Sequence, residues 1–163
     1  MGLDAHVRCN CAKEGKTKPL PFPGRLAFDE CGEPFLTGDN GKASEDLSEL
    51  LQFDQWTDSP GCGHDRGMLA SVRIGNIALV GHVRNWIDGK EKQSGRRFAV
   101  LSDKVVYDGT HCGDCISCSD AHQLLQELEV LRTMVEDEHH KEFIGTMKQL
   151  CKASLTSGNP IVF

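Results

Sequence analysis

The sequence predicts an α+β fold: a small, mainly antiparallel sheet with a central helix and a C-terminal antiparallel helical hairpin. Segments with strand character fall mostly in the first two thirds of the chain, and two amphipathic helices follow them, an order typical of α+β proteins. The connection between the two helices is short, which makes them antiparallel neighbours. The length of 163 residues predicts a single domain over 1–163, with strands, loops and one or two helices over 1–116 and the hairpin over 117–156.

Alternation of apolar and polar residues predicts the strands. From residue 3 to residue 11, every second side chain is apolar or a cysteine, which is typical of a half-buried strand. The side chains that share this face are Leu3, Ala5, Val7, Cys9 and Cys11. Short apolar runs predict the remaining strands, at 26–28, 35–37 and 68–74, and at 98–101 and 104–107, which are expected to be two strands or one bent strand.

Helical spacing of apolar residues predicts two helices before the hairpin. The first begins at residues 44–46, and four of its side chains are expected to point inward: Leu47, Leu50, Leu51 and Phe53. The second is expected over 77–87 with Asn76 as its N-cap, because asparagine side chains accept hydrogen bonds from the first turn of a helix. A polar, basic loop is expected over 88–97.

The hairpin helices are predicted at 120–136 and 139–154. In both segments apolar residues recur three and four positions apart, so each helix has one face suited to burial. Ser117 or Ser119 is expected to cap the first of them.

Charge and hydropathy exclude several classes of protein. No run approaches the ~20 apolar residues of a spanning helix, and the N-terminus lacks a secretory signal, so we expect a cytoplasmic protein with reduced thiols and no membrane partner. The net charge is −6, and residues 26–66 carry two basic and ten acidic side chains. Arg96 and Arg97 form the one adjacent basic pair, so we expect no nucleic-acid partner.

Eight cysteines are more than a chain of this length needs, because a domain of about 150 residues holds its core without covalent links. Six of them lie in three short groups, two of which contain histidine: Cys9 and Cys11; Cys62 and His64; and His111, Cys112, Cys115 and Cys118. Thiolates and imidazoles at such spacings are typical ligands of tetrahedral zinc. The sequence therefore predicts zinc as a cofactor.

Two other interpretations of the cysteines stay open. Free cysteines are among the most buried residues in proteins, and Cys31 and Cys151 are expected to be ordinary packing residues. A thiol enzyme would instead need a nucleophile, its base and an orienting carboxylate. The candidates for these roles are Cys112, then His64 or His111, and then Asp65 or Asp114.

Several segments carry a resemblance to other proteins. They are the opening MGLD, the CNC of residues 9–11, GKTKPLPFP over 15–23, GNIAL over 75–79, the specific YDGTHCGD over 107–114, and PIVF over 160–163. Together they resemble a group of small bacterial proteins to which no activity is assigned. The resemblance implies a bacterial, cytoplasmic protein. Cys115 and Cys118 depart from the group's pattern, which favours a metal site built from six residues: Cys9, Cys11, Cys62, His64, His111 and Cys112.

Two classes of function are consistent with these features. The first is a protein-interaction domain of a bacterium, such as an immunity protein that neutralises a toxin. Its acidic surface would meet a basic toxin or effector. The second is a zinc- or thiol-dependent enzyme that uses the Cys62/His64 and His111/Cys112 loops.

Overall fold

The computed structural model describes residues 2–108 and 113–163, and it confirms the α+β class. A four-stranded sheet lies at its centre, and each neighbouring pair of strands in that sheet is antiparallel. In spatial order the strands are β4 (Met68–Asn76), β1 (Gly2–Arg8), β6 (Ile161–Val162) and β5 (Cys115–Ile116). β1 alternates as the sequence predicts, because Leu3, Ala5 and Val7 are all buried.

Three long helices enclose the main core. α2 (Ile77–Ser94) and α4 (Glu138–Ser157) pack on β1 and β4, and α3 (Cys118–Arg132) packs on α4. Their buried side chains and the apolar face of the sheet form one continuous hydrophobic cluster. None of the helices in the described part of the chain has both the length and the apolar character needed to cross a bilayer.

The C-terminal helical hairpin is confirmed. Cys118 at the start of α3 lies 3.5 Å from the hydroxyl of Ser154 near the end of α4, as antiparallel helices require. The expected cap is also present, because the Ser117 hydroxyl accepts a hydrogen bond from the backbone of Asp120 and the Asp120 carboxylate accepts one in return.

A smaller unit, which we call the small lobe, is formed by residues 9–67, the segment of the chain that connects β1 to β4. It contains a two-stranded hairpin, β2 (Leu26–Phe28) with β3 (Pro34–Leu36), and the helix α1 (Leu47–Asp58). Its separate core has three buried side chains: Leu36, Phe53 and Trp56. So small a core supplies little stability, which makes links between the small lobe and the main core important.

The predicted inner face of α1 is wrong. Leu47 and Leu51 are exposed to 71% and 55%, whereas Phe53 and Trp56 are buried with their rings stacked 5.8 Å apart. The two aromatic rings offer more apolar area than two leucines, so their burial sets the rotation of the helix. Phe53 is the one fully buried residue among the four predicted to point inward.

Two segments after β4 differ from prediction. Asn76 caps α2 as expected, but the helix continues through the predicted loop at 88–97 and ends where Gly95 takes a left-handed conformation, with φ of 67°. The predicted strands at 98–101 and 104–107 are also wrong, because this segment forms a π-helical turn at Leu101–Val105. Short apolar runs do not distinguish a strand from a buried helix, since they are too short to show either the two-residue period of a strand or the 3.6-residue period of a helix.

A buried carboxylate holds this helical segment. Glu127 of α3 is 4% exposed, and its oxygens accept hydrogen bonds from the backbone N–H groups of Val100 and Leu101, at 3.2 and 3.0 Å. The side chain of Gln123 donates a third, at 3.0 Å. Glu127 therefore satisfies donors that a helix leaves free at its N-terminal end.

Replacing Glu127 by alanine is expected to lower the free energy of unfolding by roughly 2–4 kcal/mol, because two buried N–H groups lose their acceptors. Glu127→Gln keeps one carbonyl oxygen and should lose less than half of that amount. Urea denaturation of the two variants and the wild type measures the difference. An alanine variant as stable as the wild type would show that these hydrogen bonds contribute nothing to folding.

Candidate metal centre

The first part of the site is the loop that follows β1. The strand ends at Arg8 rather than at the predicted Cys11. It ends there because the chain turns: the backbone N–H of Cys9 donates to the carbonyl of Gly67 at 2.9 Å, and the carbonyl of Cys11 accepts from Lys16 at 2.7 Å. Cys9 and Cys11 therefore lie at the junction between the sheet and the small lobe.

Two asparagines fix this loop against the end of α4. Asn10 donates from its side chain to the carbonyl of Ser157 at 2.7 Å. The buried Asn159 donates to the carbonyl of Arg8 and to the Asn10 side chain, and it accepts from Lys13 at 2.8 Å. These hydrogen bonds hold the two cysteines in place, and no local pattern in the sequence identifies Asn159 for this role.

The second part of the site is the loop that follows α1. Its start is held by a hydrogen bond from the backbone of Lys18 to the carbonyl of Pro60, at 2.7 Å. Gly61 has a φ of 78°, and a Cβ there would lie 3.1 Å from the Lys18 side chain, so the position suits glycine. A short 3₁₀ turn at Asp65–Gly67 then leads into β4, and the bend directs Cys62 and His64 towards the first loop.

Four side chains meet where these loops face each other, and we call them the Cys–His cluster: Cys9, Cys11, Cys62 and His64. Their ligand atoms all lie within 4.8 Å of one another. The sulfurs of Cys9 and Cys62 are 3.9 Å apart, and the sulfur of Cys11 lies 3.5 Å from Nδ1 of His64. The group could hold a metal ion.

Burial and crowding act on the thiols of the cluster. Burial raises the pKa of Cys9 to about 11; a backbone hydrogen bond with Cys11 opposes the rise, and the thiols of Cys11 and Cys62 add to it. Three thiolates this close together would repel one another. A bound cation would offset that repulsion and make the charged forms favourable together.

A charged network borders the cluster. The carboxylate of Glu33, at the start of the β3 region, accepts hydrogen bonds from Arg8 at 2.7–3.2 Å and lies 2.8 Å from the His6 ring. Arg8 also donates to the carbonyl of Arg66 at 2.8 Å, so one side chain links β1, the β2–β3 turn and the second ligand loop. Burial would raise the pKa of Glu33, but the hydrogen bonds from His6 and Arg8 outweigh it and lower the pKa to about 2.

This pKa predicts a dependence of stability on pH. The stabilisation from Glu33 is lost as pH falls from its ordinary pKa of 4.5 towards about 2, because the unfolded chain then takes up a proton at Glu33 that the folded state does not bind. We expect Glu33→Gln to be less stable than the wild type by roughly 2 kcal/mol near neutral pH, and the gap to shrink as pH falls from about 5 to about 2. Urea denaturation of both proteins across this range measures it, with the exposed neighbour Glu30→Gln as the control. A gap that stayed constant with pH would contradict the assignment.

The structure brings together four of the six predicted metal ligands. The other two, His111 and Cys112, lie outside the described residues. Cys112 is also the proposed nucleophile of a thiol enzyme. Of the candidate orienting carboxylates, Asp65 begins the 3₁₀ turn, and Asp114 accepts a hydrogen bond from the Tyr107 hydroxyl. The full six-residue site therefore stays a prediction.

The remaining cysteines divide into two kinds. Cys31 is not an ordinary packing residue, because it forms a disulfide with Cys115. The expectation of fully reduced thiols fails for this pair. Cys151 is fully buried in the main core, as predicted, and Cys118 is a partly exposed free thiol at the start of α3.

A small cavity adjoins the Cys–His cluster. It has a volume of about 20 Å³, and its lining includes Cys9, Cys62, Arg8 and Trp56. That volume is room for about one water molecule.

No family model, curated protein or solved structure matches the chain, so its function is inferred from the site itself.

Proposed function

We propose that the protein is a protein-interaction domain stabilised by one structural zinc ion, which the Cys–His cluster binds. The observation that carries this proposal is the spacing of the four ligand atoms. Zinc–sulfur bonds of about 2.3 Å and zinc–nitrogen bonds of about 2.0 Å at tetrahedral angles separate two sulfurs by about 3.8 Å, and a sulfur from a nitrogen by about 3.5 Å. Two of the observed distances, 3.9 Å between Cys9 and Cys62 and 3.5 Å between Cys11 and His64, agree with these values, and all of the ligand atoms lie within 4.8 Å of one another.

Ligand number supports a structural role rather than a catalytic one. Catalytic zinc keeps one coordination position for water or substrate, whereas structural zinc takes four protein ligands. The Cys–His cluster supplies four.

The position of the cluster supports the same role. Cys9 and Cys11 follow β1, an inner strand of the main sheet, and Cys62 and His64 follow α1 of the small lobe. A metal held by both pairs would join the two ends of the small lobe, at the point where the chain leaves β1 and enters β4, and would so hold the lobe and its core of three buried side chains beside the main sheet. Such a link would contribute most where the core alone is insufficient.

An immunity-type role is the more specific form of this proposal. Segment 26–66, which includes most of the small lobe, has a net charge of −8, and this charge would attract a basic toxin or effector. A toxin or effector gene immediately upstream would support the role. An isolated gene without such a neighbour would count against it.

Metal analysis of protein purified without added metal tests the zinc proposal. We expect about one zinc per chain, lost on Cys62→Ser and retained on Cys118→Ser, a matched control because Cys118 is a partly exposed free thiol outside the cluster. Replacement of zinc by Co²⁺ should give the visible absorption of a tetrahedral thiolate complex. Protein that contains no metal, and whose thiols at positions 9, 11 and 62 react freely, would overturn the proposal.

A further inference from the structure

We propose that the outer face of α1 is the docking surface for a cationic protein partner with an apolar ridge, an inference that rests on the proposed interaction function. Leu47 and Leu51, one helical turn apart, are the two most exposed large hydrophobic residues of the described chain, at 71% and 55%. Their side chains lie on the same face as Asp54 and Asp58, which are also exposed. We call this face the α1 face.

The charged side chains of α1 and its N-terminal approach all have one sign. From Glu45 to the end of α1 the chain contains five acidic side chains and no lysine, arginine or histidine. The charge of Glu49 is matched by Arg25, whose guanidinium donates to both carboxylate oxygens at 2.7 Å. Asp58 approaches Arg66 at 3.8 Å, but both side chains are more than 60% exposed, so that pair contributes little.

Charge complementarity therefore identifies the class of partner. Exposed leucines flanked by carboxylates suit an apolar ridge flanked by lysines or arginines. The same carboxylates repel the phosphates of nucleic acids and anionic lipids. The occupant is therefore a basic protein surface. A simple polycation would pair with the carboxylates but would have no apolar group to contact the two leucines.

The α1 face is held in a fixed position before any partner binds. The Asp46 carboxylate caps the helix by accepting hydrogen bonds from Ser48 and Glu49. On the inner side Phe53 and Trp56 are buried, and the Trp56 ring N–H donates to the carbonyl of Lys18 at 3.2 Å. A surface already ordered in the free protein loses little conformational entropy on binding.

Binding of a fluorescent amphipathic helix of leucine and lysine tests the proposal, with a leucine–glutamate helix as the reversed-charge probe. We expect the cationic probe to bind, to weaken steeply as salt rises, and to shift the methyl NMR signals of Leu47 and Leu51 in the wild type. Leu47→Ser/Leu51→Ser should weaken binding by at least about tenfold. Asp54→Asn/Asp58→Asn should weaken it several-fold and reduce its salt dependence. Leu155→Ser, at an exposed leucine of α4, should leave binding unchanged.

Any of the following results would overturn the proposal: no binding of the cationic probe, equal binding by the double leucine variant, or methyl shifts confined to other residues. Sedimentation that finds a dimer dispersed by Leu47→Ser/Leu51→Ser would assign the face to a second copy of the chain and also overturn it. Zinc content measured on the same samples separates this failure from that of the proposed function. A sample with one zinc per chain but no probe binding overturns the docking surface alone.

Discussion

Replacing Cys62 by serine is expected to abolish tight zinc binding and to unfold the small lobe while the main core stays folded. We expect zinc affinity to fall by at least about 100-fold, because one of four ligands is lost. If zinc saturates the wild type at about 1,000 times its dissociation constant, the lost linkage corresponds to about 4 kcal/mol of stability. The small lobe should unfold before the main core does, since its own core consists of only three buried side chains in the described part of the chain.

Amide hydrogen exchange measures this effect segment by segment. Protection should fall in α1 and in the β2–β3 hairpin, and it should persist in α3 and α4. Treatment of the wild type with a strong chelator should reproduce the pattern, and Cys118→Ser should not. Unchanged protection throughout the Cys62→Ser variant would show that the cluster does not hold the small lobe.

Removing the disulfide between Cys31 and Cys115 is the second large expected effect. The bond joins residues 84 positions apart and connects the turn between β2 and β3 to β5, so its loss frees a long loop in the unfolded chain. We expect Cys31→Ser/Cys115→Ser to lower the free energy of unfolding by roughly 2–5 kcal/mol. Zinc should stay bound, because neither cysteine belongs to the Cys–His cluster.

A reductant that does not bind zinc provides the control for this prediction. It should destabilise the wild type by about as much as the double substitution does, and it should leave the double variant unchanged. Denaturant titrations with and without the reductant measure both effects. A wild type insensitive to the reductant, with all eight thiols free by mass spectrometry, would contradict the disulfide.

Much of the framework follows from local patterns. The alternation of β1, the cap at Asn76 and the hairpin of α3 and α4 are confirmed because each depends on residues close in sequence. The segment after Gly95 was not predictable in this way. Its helical form depends on Glu127, which accepts hydrogen bonds from the backbone N–H groups of Val100 and Leu101, 27 and 26 positions earlier in the chain.

The site shows the same division. Cys–His spacing identifies Cys9, Cys11, Cys62 and His64 as ligand types, but only the folded chain brings the two pairs together across 53 positions. The partner of Cys31 could not be read from the sequence, because the chain carries no local signal for a bond over 84 positions. The orientation of α1 was also out of reach, since it depends on which side chains the small lobe can enclose.

X-ray absorption spectroscopy at the zinc edge tests the central claim most directly. If the Cys–His cluster binds structural zinc, the spectrum of the purified protein will fit three sulfurs at about 2.3 Å and one nitrogen at about 2.0 Å. The same measurement on His64→Ala should show the loss of the nitrogen ligand or of the metal. A first shell dominated by oxygen, or fewer than three sulfur ligands in the wild type, would contradict the claim.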